Sequence, residues 1–304
     1  MSAIVAVVGP TAAGKSELGI ALAQALDGEV VNADSMQLYR GMDIGTAKLS
    51  PKQRLGVPHH LLDVWDVTRP ASVAEYQRLA REVVDELRAR ARTPVLVGGS
   101  GLYVRAALDD LDFPGTDAAL RDELERELSE AGPAPLYERL RAADPAAANA
   151  ILPSNGRRIV RALEVVLLTG EPFAASLPEP RYVSDRTVQI GLDVPREQLD
   201  ERISRRVEHM WEAGFVDEVR RLDAAGLRRG RTASRALGYA QVLRFLAGDG
   251  TEEAAKAETV RATRRFARRQ DSWFRRDPRV IWLPYDRADL VDAAVIAVRS
   301  AVPS

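Results

Sequence analysis

The chain has 304 residues, of which 46% are hydrophobic and 29% charged, and its formal net charge is −1. These values are typical of a globular protein with a sizeable core, and the near-neutral charge excludes the overall basic field of many nucleic-acid binders. The sequence has no cysteine, which excludes disulfides, thiolate nucleophiles and cysteine-based zinc sites. Because two of its three histidines, His59, His60 and His209, are sequence neighbours, a three-histidine metal site is not predicted either.

No apolar run approaches the roughly 18 residues of a membrane-spanning helix, and the N-terminus has no basic segment followed by a cleavable apolar one. We therefore expect no membrane association and a cytoplasmic location. The charges are segregated along the chain. Residues 114–150 carry eight acidic and four basic side chains, whereas residues 261–276 carry seven arginines. Any contact with RNA is therefore expected to be local.

Strand and helix patterns alternate in the first third of the chain. Short apolar runs at residues 3–8, 29–33 and 94–97 predict buried strands. Residues 15–26 and 72–90 predict helices, the second of which begins with a serine that can cap it. Because strands separated by helices pair in parallel, this order indicates an α/β fold with a parallel sheet flanked by helices.

The middle of the chain changes character. A helical, proline-interrupted pattern extends from residue 117 to about residue 169, and a stretch rich in proline and serine leads to a strand predicted at 187–194. We therefore predict a helical insertion domain at residues 116–185 inside an α/β core formed by residues 1–115 and 186–304. The last third is mostly helical, with helices predicted at 197–213, 215–225, 234–246 and 252–275 and one strand at 279–283.

A phosphate-binding motif lies between the first predicted strand and the first predicted helix. The pattern G-x-x-x-x-G-K-[ST] is matched by Gly9, Pro10, Thr11, Ala12, Ala13, Gly14, Lys15 and Ser16. The glycines let the backbone curl so that several N–H groups point inward, and the helix N-terminus adds partial positive charge. Lys15 adds a full charge, and the Ser16 hydroxyl can ligate Mg²⁺ bound to the phosphates. The motif predicts a P-loop NTPase-like site for a diphosphate or triphosphate, without specifying nucleotide hydrolysis.

Asp34 lies directly after the second predicted strand. In parallel α/β sheets, side chains just past the carboxyl end of a strand face the ligand crevice, so we expect Asp34 close to the phosphate-binding motif. A carboxylate there has three roles open to it: magnesium ligand, general base, or N-cap of a helix. Position alone does not distinguish among them.

Three further segments are candidates for ligand contact. Residues 40–48 form a polar loop that contains glycine and is too long for a tight turn, and long structured loops are usually functional. Residues 58–63 include two histidines, which either contact substrate or serve packing and capping. Residues 97–103 follow the third strand, and there Ser100 is expected to face the same crevice.

These segments resemble those of a known family. The motif at 9–16 and the block at 34–48, Asp-Ser-Met-Gln-Leu-Tyr-Arg-Gly-Met-Asp-Ile-Gly-Thr-Ala-Lys, are similar to the tRNA dimethylallyltransferases, also called tRNA isopentenyltransferases. Further matches follow in order along nearly the whole chain, at residues 58–63, 97–103, 157–164, 235–239 and 263–270. Because the chain lacks the C-terminal Cys/His zinc module of eukaryotic members, the resemblance is to the bacterial form.

The resemblance implies transfer of a dimethylallyl group from dimethylallyl diphosphate to N6 of the adenosine 3′ of the anticodon, tRNA position 37, which gives N6-isopentenyladenosine. Asp34 is then expected to accept a proton from N6, and Thr11 to bond the oxygen that bridges the prenyl carbon and the diphosphate. Lys15, Ser16 with Mg²⁺, and Arg235 are expected to stabilise the departing diphosphate. The implied partners are the anticodon stem-loop of tRNA and the prenyl donor, and we expect a monomer.

The resemblance also implies a set of tRNA contacts, in part from the helical insertion. These residues are Asp34, Ser35, Met36, Gln37, Ser100, Arg121, Arg158 and Arg161. The sequence departs from some members at two positions. Ser100 replaces a threonine, which keeps a hydroxyl, and Arg157 replaces a glutamine, which keeps donors but removes an acceptor. Neither change puts the reaction in doubt.

The predicted helix at 252–275 is a candidate for binding the RNA backbone. One apolar stripe is predicted on it from Val260, Phe266, Ala267, Trp273 and Phe274. Most of its arginines lie off this stripe and form either a solvated face or a phosphate-binding face, and the resemblance favours the second interpretation.

Other functions fit parts of the pattern. A nucleotide or small-molecule kinase shares the phosphate loop and a nearby carboxylate, and would add arginines that converge on the phosphates. A prenyltransferase acting on free AMP, ADP or ATP would not need the helical insertion or the basic helix. A non-enzymatic RNA-binding scaffold would tolerate replacement of Thr11, Asp34 and Arg235.

Overall fold

The computed structural model describes residues 2–301, and the chain forms two compact units. The core unit comprises the chain up to Asp110 and from Tyr182 onward, and the helical unit is Leu111–Arg181. Within the described residues, no helix is both long and apolar enough to cross a membrane.

A six-stranded parallel sheet forms the centre of the core unit, with the strand order β3-β2-β4-β1-β5-β6. The strands are β1 Ile4–Val8, β2 Gly28–Asn32, β3 His59–His60, β4 Thr93–Val97, β5 Thr187–Asp193 and β6 Val280–Pro284. The predicted α/β class with a parallel sheet flanked by helices is therefore confirmed. The two-residue β3, which pairs with Val30 and Val31, is too short to produce a periodic signal and is absent from the sequence prediction.

Apolar residues bury the central strand on both of its faces. All five residues of β1 are buried, and successive side chains point to opposite faces, so both faces of the sheet are covered there. On one face, Val5 and Val7 belong to a cluster with Leu22 of helix α1, Lys15–Ala25, and with Ala294 of the last described helix. This packing holds the start of α1 at the carboxyl end of β1.

The remaining helices of the core unit surround the sheet. They are α2 Val73–Ala89, α3 Gly101–Leu108, α8 Arg196–Glu212, α9 Phe215–Ala224, α10 Tyr239–Leu246, α11 Glu252–Arg275 and α12 Leu290–Ala301. Helices α3 and α12 are absent from the sequence prediction. The predicted helix 234–246 is wrong in its first part: residues 233–235 form a short 3₁₀ turn and Gly238 has φ 84°, a left-handed angle that interrupts a right-handed helix.

The helical unit has its own small core. Its helices are α4 Ala118–Ala131, α5 Pro133–Ala143, α6 Pro145–Ala150 and α7 Gly156–Thr169. Pro133 and Pro145 each occupy the first position of a helix, where the missing N–H costs nothing. Buried leucines and Ile159 join α4, α5 and α7 in one apolar cluster.

An ion-pair network joins the two points where the chain leaves and re-enters the core unit. Asp109 and Tyr182 form an antiparallel bridge, and the N–H of Val183 donates to the carbonyl of Leu108 at 2.9 Å. Arg279 bonds both carboxylate oxygens of the buried Asp109, at 2.7 and 3.1 Å, and its guanidinium lies 3.9 Å from the centroid of the Tyr182 ring. The segments at residues 108–109 and 182–183 are thereby fixed side by side.

Candidate active site at the phosphate loop

The loop between β1 and α1 adopts the curled backbone that its motif predicts. Gly9 has φ 131° and Gly14, the residue before α1, has φ 104°, angles that a side chain would strain. Ala12 also has a positive φ of 65°, and its carbonyl accepts a hydrogen bond from Nε of Arg202 at 2.8 Å. That bond from α8 helps to hold the loop in a conformation that alanine adopts only at some cost in free energy.

Lys15 reaches back across the loop. Its Nζ donates to the carbonyl of Pro10 at 2.7 Å. The side chain is partly accessible at the surface, yet protein atoms surround it closely enough to desolvate it. Burial and the charge of Arg206 lower the pKa of Lys15 to about 8, against the opposing effects of Asp34 and Glu17. The amine therefore keeps its positive charge at neutral pH, close to an anion bound by the loop.

Ser16 lines a narrow cavity of about 30 Å³ beside the sheet, together with the polar residues Asn32 and Gln37. The described residues contain no group of three or more His, Asp or Glu side chains that could enclose a metal ion. Mg²⁺ commonly uses one or two protein oxygens and completes its shell with phosphates and water. A hydroxyl such as that of Ser16 at the start of α1 fits this pattern of coordination.

Asp34 lies at the carboxyl edge of the sheet on a structured turn. Asn32 fixes this turn: its Oδ1 accepts the N–H of Asp34 at 2.9 Å, and its Nδ2 donates to the carbonyls of Asp34 and Leu61, both at 3.0 Å. The Asp34 carboxylate accepts the N–H of Met36 at 2.9 Å and is partly exposed. Turn residues follow Asp34, so the helix N-cap alternative is wrong.

The charge of Asp34 acts on the residues around the phosphate loop. It raises the pKa of Lys15 and of Arg206, in both cases against a larger lowering by burial. Burial raises the pKa of Tyr76 and of Tyr103, and Asp34 adds to each rise. The structure therefore brings the carboxylate and the loop cation into one electrostatic environment, as expected for a crevice at the strand ends.

Ser35 and Ser100 join the ends of β2 and β4. The N–H of Ser35 donates to Oγ of Ser100 at 3.2 Å, and the two hydroxyls lie 3.3 Å apart. The sheet order explains this contact because β4 lies between β1 and β2. The three segments predicted to face the crevice, at 9–16, 34–37 and 97–103, thus follow neighbouring strands.

The loop at 40–48 is ordered by buried polar groups. The carboxylate of Glu218, 2% exposed, accepts the N–H groups of Asp43, Ile44 and Gly45 at 3.2, 2.7 and 3.2 Å. It also accepts the hydroxyl of Tyr239 at 2.6 Å. Gly45 has no room for a side chain, since a Cβ there would lie 2.2 Å from the Phe215 ring. The loop is therefore held in one conformation by α9.

Sequence reasoning missed Gln270, which links α11 to the phosphate loop. Its Oε1 accepts the N–H of Thr11 at 2.9 Å and its Nε2 donates to the carbonyl of Gly99 at 2.8 Å. The predicted apolar stripe of α11 is wrong at Trp273, which is 38% exposed, whereas Gln270 is 5% exposed. An amide in register with the mostly apolar buried face of α11 was the available signal.

Arg235 and the arginines of the helical unit have different surroundings. Arg235 is exposed on the 3₁₀ turn, and no described side chain bonds or pairs with its guanidinium. In the helical unit, Arg121 and Arg161 both pair with the fully buried Glu164, and Arg158 donates to the carbonyl of Ala175. Burial works to raise the pKa of Glu164, but these two arginines outweigh it and leave the pKa below its ordinary value.

Helix α11 presents an exposed basic face. Arg265, Arg268 and Arg269 are exposed, and Arg264 turns inward to bond Oγ of Ser204 at 2.7 Å. Glu258 pairs with Arg265 at 2.9 Å, so part of the positive charge is neutralised near the start of the face. The rest of it remains available to a polyanion.

The parallel sheet and the phosphate loop together define the class of protein. A parallel sheet with a glycine-rich loop from its central strand to a helix N-terminus is a P-loop fold with an anion site. A family model described as IPP transferase matches residues 37–277. Because this match covers more than half of the chain, the chain belongs to the IPP transferase family.

Individual relatives agree with the family. The chain is 68% identical over 305 residues to a tRNA dimethylallyltransferase of Thermobifida fusca, covering 98% of this chain and 95% of the relative. It is 70% identical over 295 residues to a tRNA dimethylallyltransferase of Streptomyces avermitilis, covering 97% and 94%. The chain thus matches these relatives over almost their full lengths.

Solved structures share the fold. The full-length tRNA isopentenylpyrophosphate transferase of Bacillus halodurans is 39% identical with a TM-score of 0.72, covering 99% of this chain and 98% of that one. A eukaryotic dimethylallyltransferase acting on tRNA is 26% identical with a TM-score of 0.80, covering 99% of this chain and 78% of that one. The P-loop fold predicted from the motif is therefore confirmed.

Proposed function

We propose that the protein transfers a dimethylallyl group from dimethylallyl diphosphate to N6 of the adenosine 3′ of the anticodon, tRNA position 37, giving N6-isopentenyladenosine. One observation carries the proposal: Asp34 follows β2 and the phosphate loop follows β1, so both lie at the carboxyl edge of the same parallel sheet. The names of the relatives, tRNA dimethylallyltransferases, support the same reaction.

The chemistry requires a site for a leaving anion and a base beside it. The C–O bond between the prenyl carbon and the diphosphate breaks, the N6–C bond forms, and the N6 proton goes to the Asp34 carboxylate. An adenine N6 amine is a weak nucleophile because its lone pair is delocalised into the ring. A positioned base typically accelerates such a step by about 10²–10⁴-fold.

The phosphate loop supplies the stabilisation of the leaving group. Its backbone amides, the N-terminus of α1 and the ammonium of Lys15 meet the negative charge that develops on the diphosphate. We propose that the Thr11 hydroxyl bonds the bridging oxygen and that Arg235, from an exposed turn, adds a guanidinium. Mg²⁺ would be held by Ser16 and the diphosphate oxygens and would neutralise part of their charge.

The adenosine must leave its stack to reach this crevice, which is easiest in a single-stranded loop. We propose that Asp34, Ser35, Met36, Gln37 and Ser100 contact the extruded base and its neighbours. The exposed arginines of α11 and the helical unit, through Arg121, Arg158 and Arg161, are proposed to bind the phosphate backbone. We further propose that the enzyme acts as a monomer in the cytoplasm.

The decisive experiment is prenyl transfer by an Asp34→Asn variant. With Mg²⁺ and dimethylallyl diphosphate, the wild-type protein should modify an unmodified anticodon stem-loop but not free AMP. Asp34→Asn should lose about 10²–10⁴-fold in kcat while it still binds the RNA. Asp66→Asn is the matched control because Asp66 is 73% exposed and, among the residues that the structure describes, forms an ion pair with Arg40 alone.

The same assay separates the alternatives. A kinase would consume ATP and transfer phosphate, and a free-nucleotide prenyltransferase would modify AMP. Full activity in Asp34→Asn would remove the carboxylate from its proposed role as the base, and the absence of any prenyl transfer by the wild-type protein would refute the function itself.

A further inference from the structure

The turn that carries Arg235 packs closely on a distant segment of the chain. This turn, residues 230–235, is called the arginine turn below, and its partner segment is residues 66–71. A Cβ at Gly230 would lie 1.8 Å from the carbonyl oxygen of Val67, so any side chain there would push the two backbones apart. Beside this contact, Oγ1 of Thr232 accepts the N–H of Ala71 at 3.1 Å. The arginine turn is therefore held to residues 66–71 at two points.

Hydrogen bonds within the arginine turn connect this anchor to Arg235. The N–H of Arg235 donates to the carbonyl of Thr232 at 3.1 Å. The N–H and the hydroxyl of Ser234 both donate to the carbonyl of Gly230, at 3.2 and 2.6 Å. Ala233, between the anchor and the arginine, is fully buried. A shift of the Thr232 side chain would therefore also shift the backbone of Arg235.

Tyr39 connects the same anchor to the turn that carries Asp34. The Tyr39 ring is fully buried, and its hydroxyl donates to the carbonyl of Arg69 at 2.9 Å. Burial raises the pKa of Tyr39, and a hydrogen bond with the Thr232 side chain opposes this rise. The N–H of Tyr39 donates to the carbonyl of Met36 at 3.3 Å, and the N–H of Met36 donates to the Asp34 carboxylate at 2.9 Å. Continuous contacts thus extend from the carboxylate to the arginine turn.

Arg235 depends on this anchor for its position. Its side chain is exposed, and no described side chain bonds or pairs with its guanidinium, so the backbone of the turn determines where the guanidinium can reach. A cation on a fixed backbone loses less conformational freedom when it binds an anion than a cation on a mobile one.

We propose that Thr232 is a positioning residue, whose hydroxyl holds the arginine turn on residues 66–71 so that Arg235 meets the diphosphate from a fixed backbone. The inference rests on the proposed function, in which Arg235 stabilises the departing diphosphate. It adds a residue that touches neither the substrate nor the reacting atoms and acts through Arg235.

The test measures the affinity for inorganic pyrophosphate by calorimetry in the presence of Mg²⁺, without RNA or prenyl donor. Thr232→Val keeps the shape of the side chain and removes the hydroxyl, and it should weaken binding by about 3- to 10-fold, the value of a lost neutral hydrogen bond. Thr232→Ser keeps the hydroxyl and should restore most of the affinity. Thr68→Val is the matched control, because Thr68 is exposed on the same partner segment, and it should bind as the wild type does.

A double-mutant cycle distinguishes positioning from a general structural role. In an Arg235→Gln background, Thr232→Val should change the affinity by less than about 2-fold, because the residue through which Thr232 acts is already lost. In prenyl transfer, Thr232→Val should lower kcat and leave KM for the anticodon stem-loop unchanged. A loss caused only by weaker folding would be the same with and without Arg235.

The outcomes separate this inference from the proposed function. The inference would be overturned by wild-type affinity in Thr232→Val, by an equal loss in both backgrounds, by a Thr232→Ser variant as weak as Thr232→Val, or by a wild-type protein that does not bind pyrophosphate. If no RNA is prenylated, the proposed function fails, but a loss in Thr232→Val that requires Arg235 would still support the inference. If Thr232→Val does not fold, Thr232→Ala removes the same hydroxyl and is judged by the same cycle.

Discussion

Replacing Gln270 by methionine removes one link between α11 and the phosphate loop while nearly preserving side-chain volume. Two hydrogen bonds are lost, from the N–H of Thr11 and to the carbonyl of Gly99. A buried backbone group left without a partner costs about 1–3 kcal/mol. Gly99 is buried and bears the full cost, whereas water reaches the partly exposed Thr11. We therefore expect the free energy of unfolding to fall by about 1–3 kcal/mol.

The assay is urea unfolding followed by tryptophan fluorescence. All four tryptophans lie in the core unit, so the signal reports the unit that contains Gln270. Gln24→Met makes the same chemical change at an exposed position of α1 and should alter stability by less than about 0.5 kcal/mol. Equal stability of Gln270→Met and Gln24→Met would show that the two bonds contribute nothing, and the reasoning would be wrong.

Two further changes test buried carboxylates. Glu164→Gln should lower the stability of the helical unit by about 2–3 kcal/mol, because Arg121 and Arg161 lose their shared counter-charge. Since the folded pKa of Glu164 lies below its ordinary 4.5, this difference is present at pH 7 and should shrink as the pH falls below about 4. Glu218→Gln should speed amide hydrogen exchange at Asp43, Ile44 and Gly45, because the N–H groups of these residues donate to the Glu218 carboxylate.

Each change has a matched exposed control. Glu123→Gln lies on the exposed face of α4. When urea unfolding is followed by circular dichroism, this variant should have the same midpoint as the wild type. Glu201→Gln, 67% exposed on α8, is the control for hydrogen exchange. A pH-independent stability difference in Glu164→Gln, or unchanged exchange in Glu218→Gln, would contradict the corresponding assignment.

Sequence patterns predicted the features that are determined by residues close together in the chain. The predicted bounds of α11, residues 252–275, agree with the structure, in which the side chain of Thr251 caps the start of the helix. The phosphate loop depends on spacing within eight residues, and Asp34 depends on its position after a buried strand. Both could be placed at one sheet edge before the strand order was known, because parallel strands end at the same edge.

The features that the sequence did not reveal depend on contacts between distant segments. Gln270 bonds Thr11 and Gly99, which lie 259 and 171 positions away in the chain, and the residues near Gln270 do not identify these partners. Arg205 and Arg206 are adjacent on α8 and differ in the side of the helix from which they project: Arg205 is exposed, whereas Arg206 is partly buried. The charges that act on Arg206, those of Asp34 and Glu17, come from distant parts of the chain and are therefore a property of the assembled fold.

The bridge between Asp109 and Tyr182 brings together the two ends of the segment that forms the helical unit, so that this segment can be removed as one piece. Because the two strands of chain meet in antiparallel pairing, a turn of about two to five residues suffices to join them. Excising residues 111–181 in favour of such a turn would leave Arg279 bonded to Asp109 and the whole sheet uncut. The helical unit can therefore be removed at this junction, or replaced by a different inserted domain, without cutting any strand of the sheet.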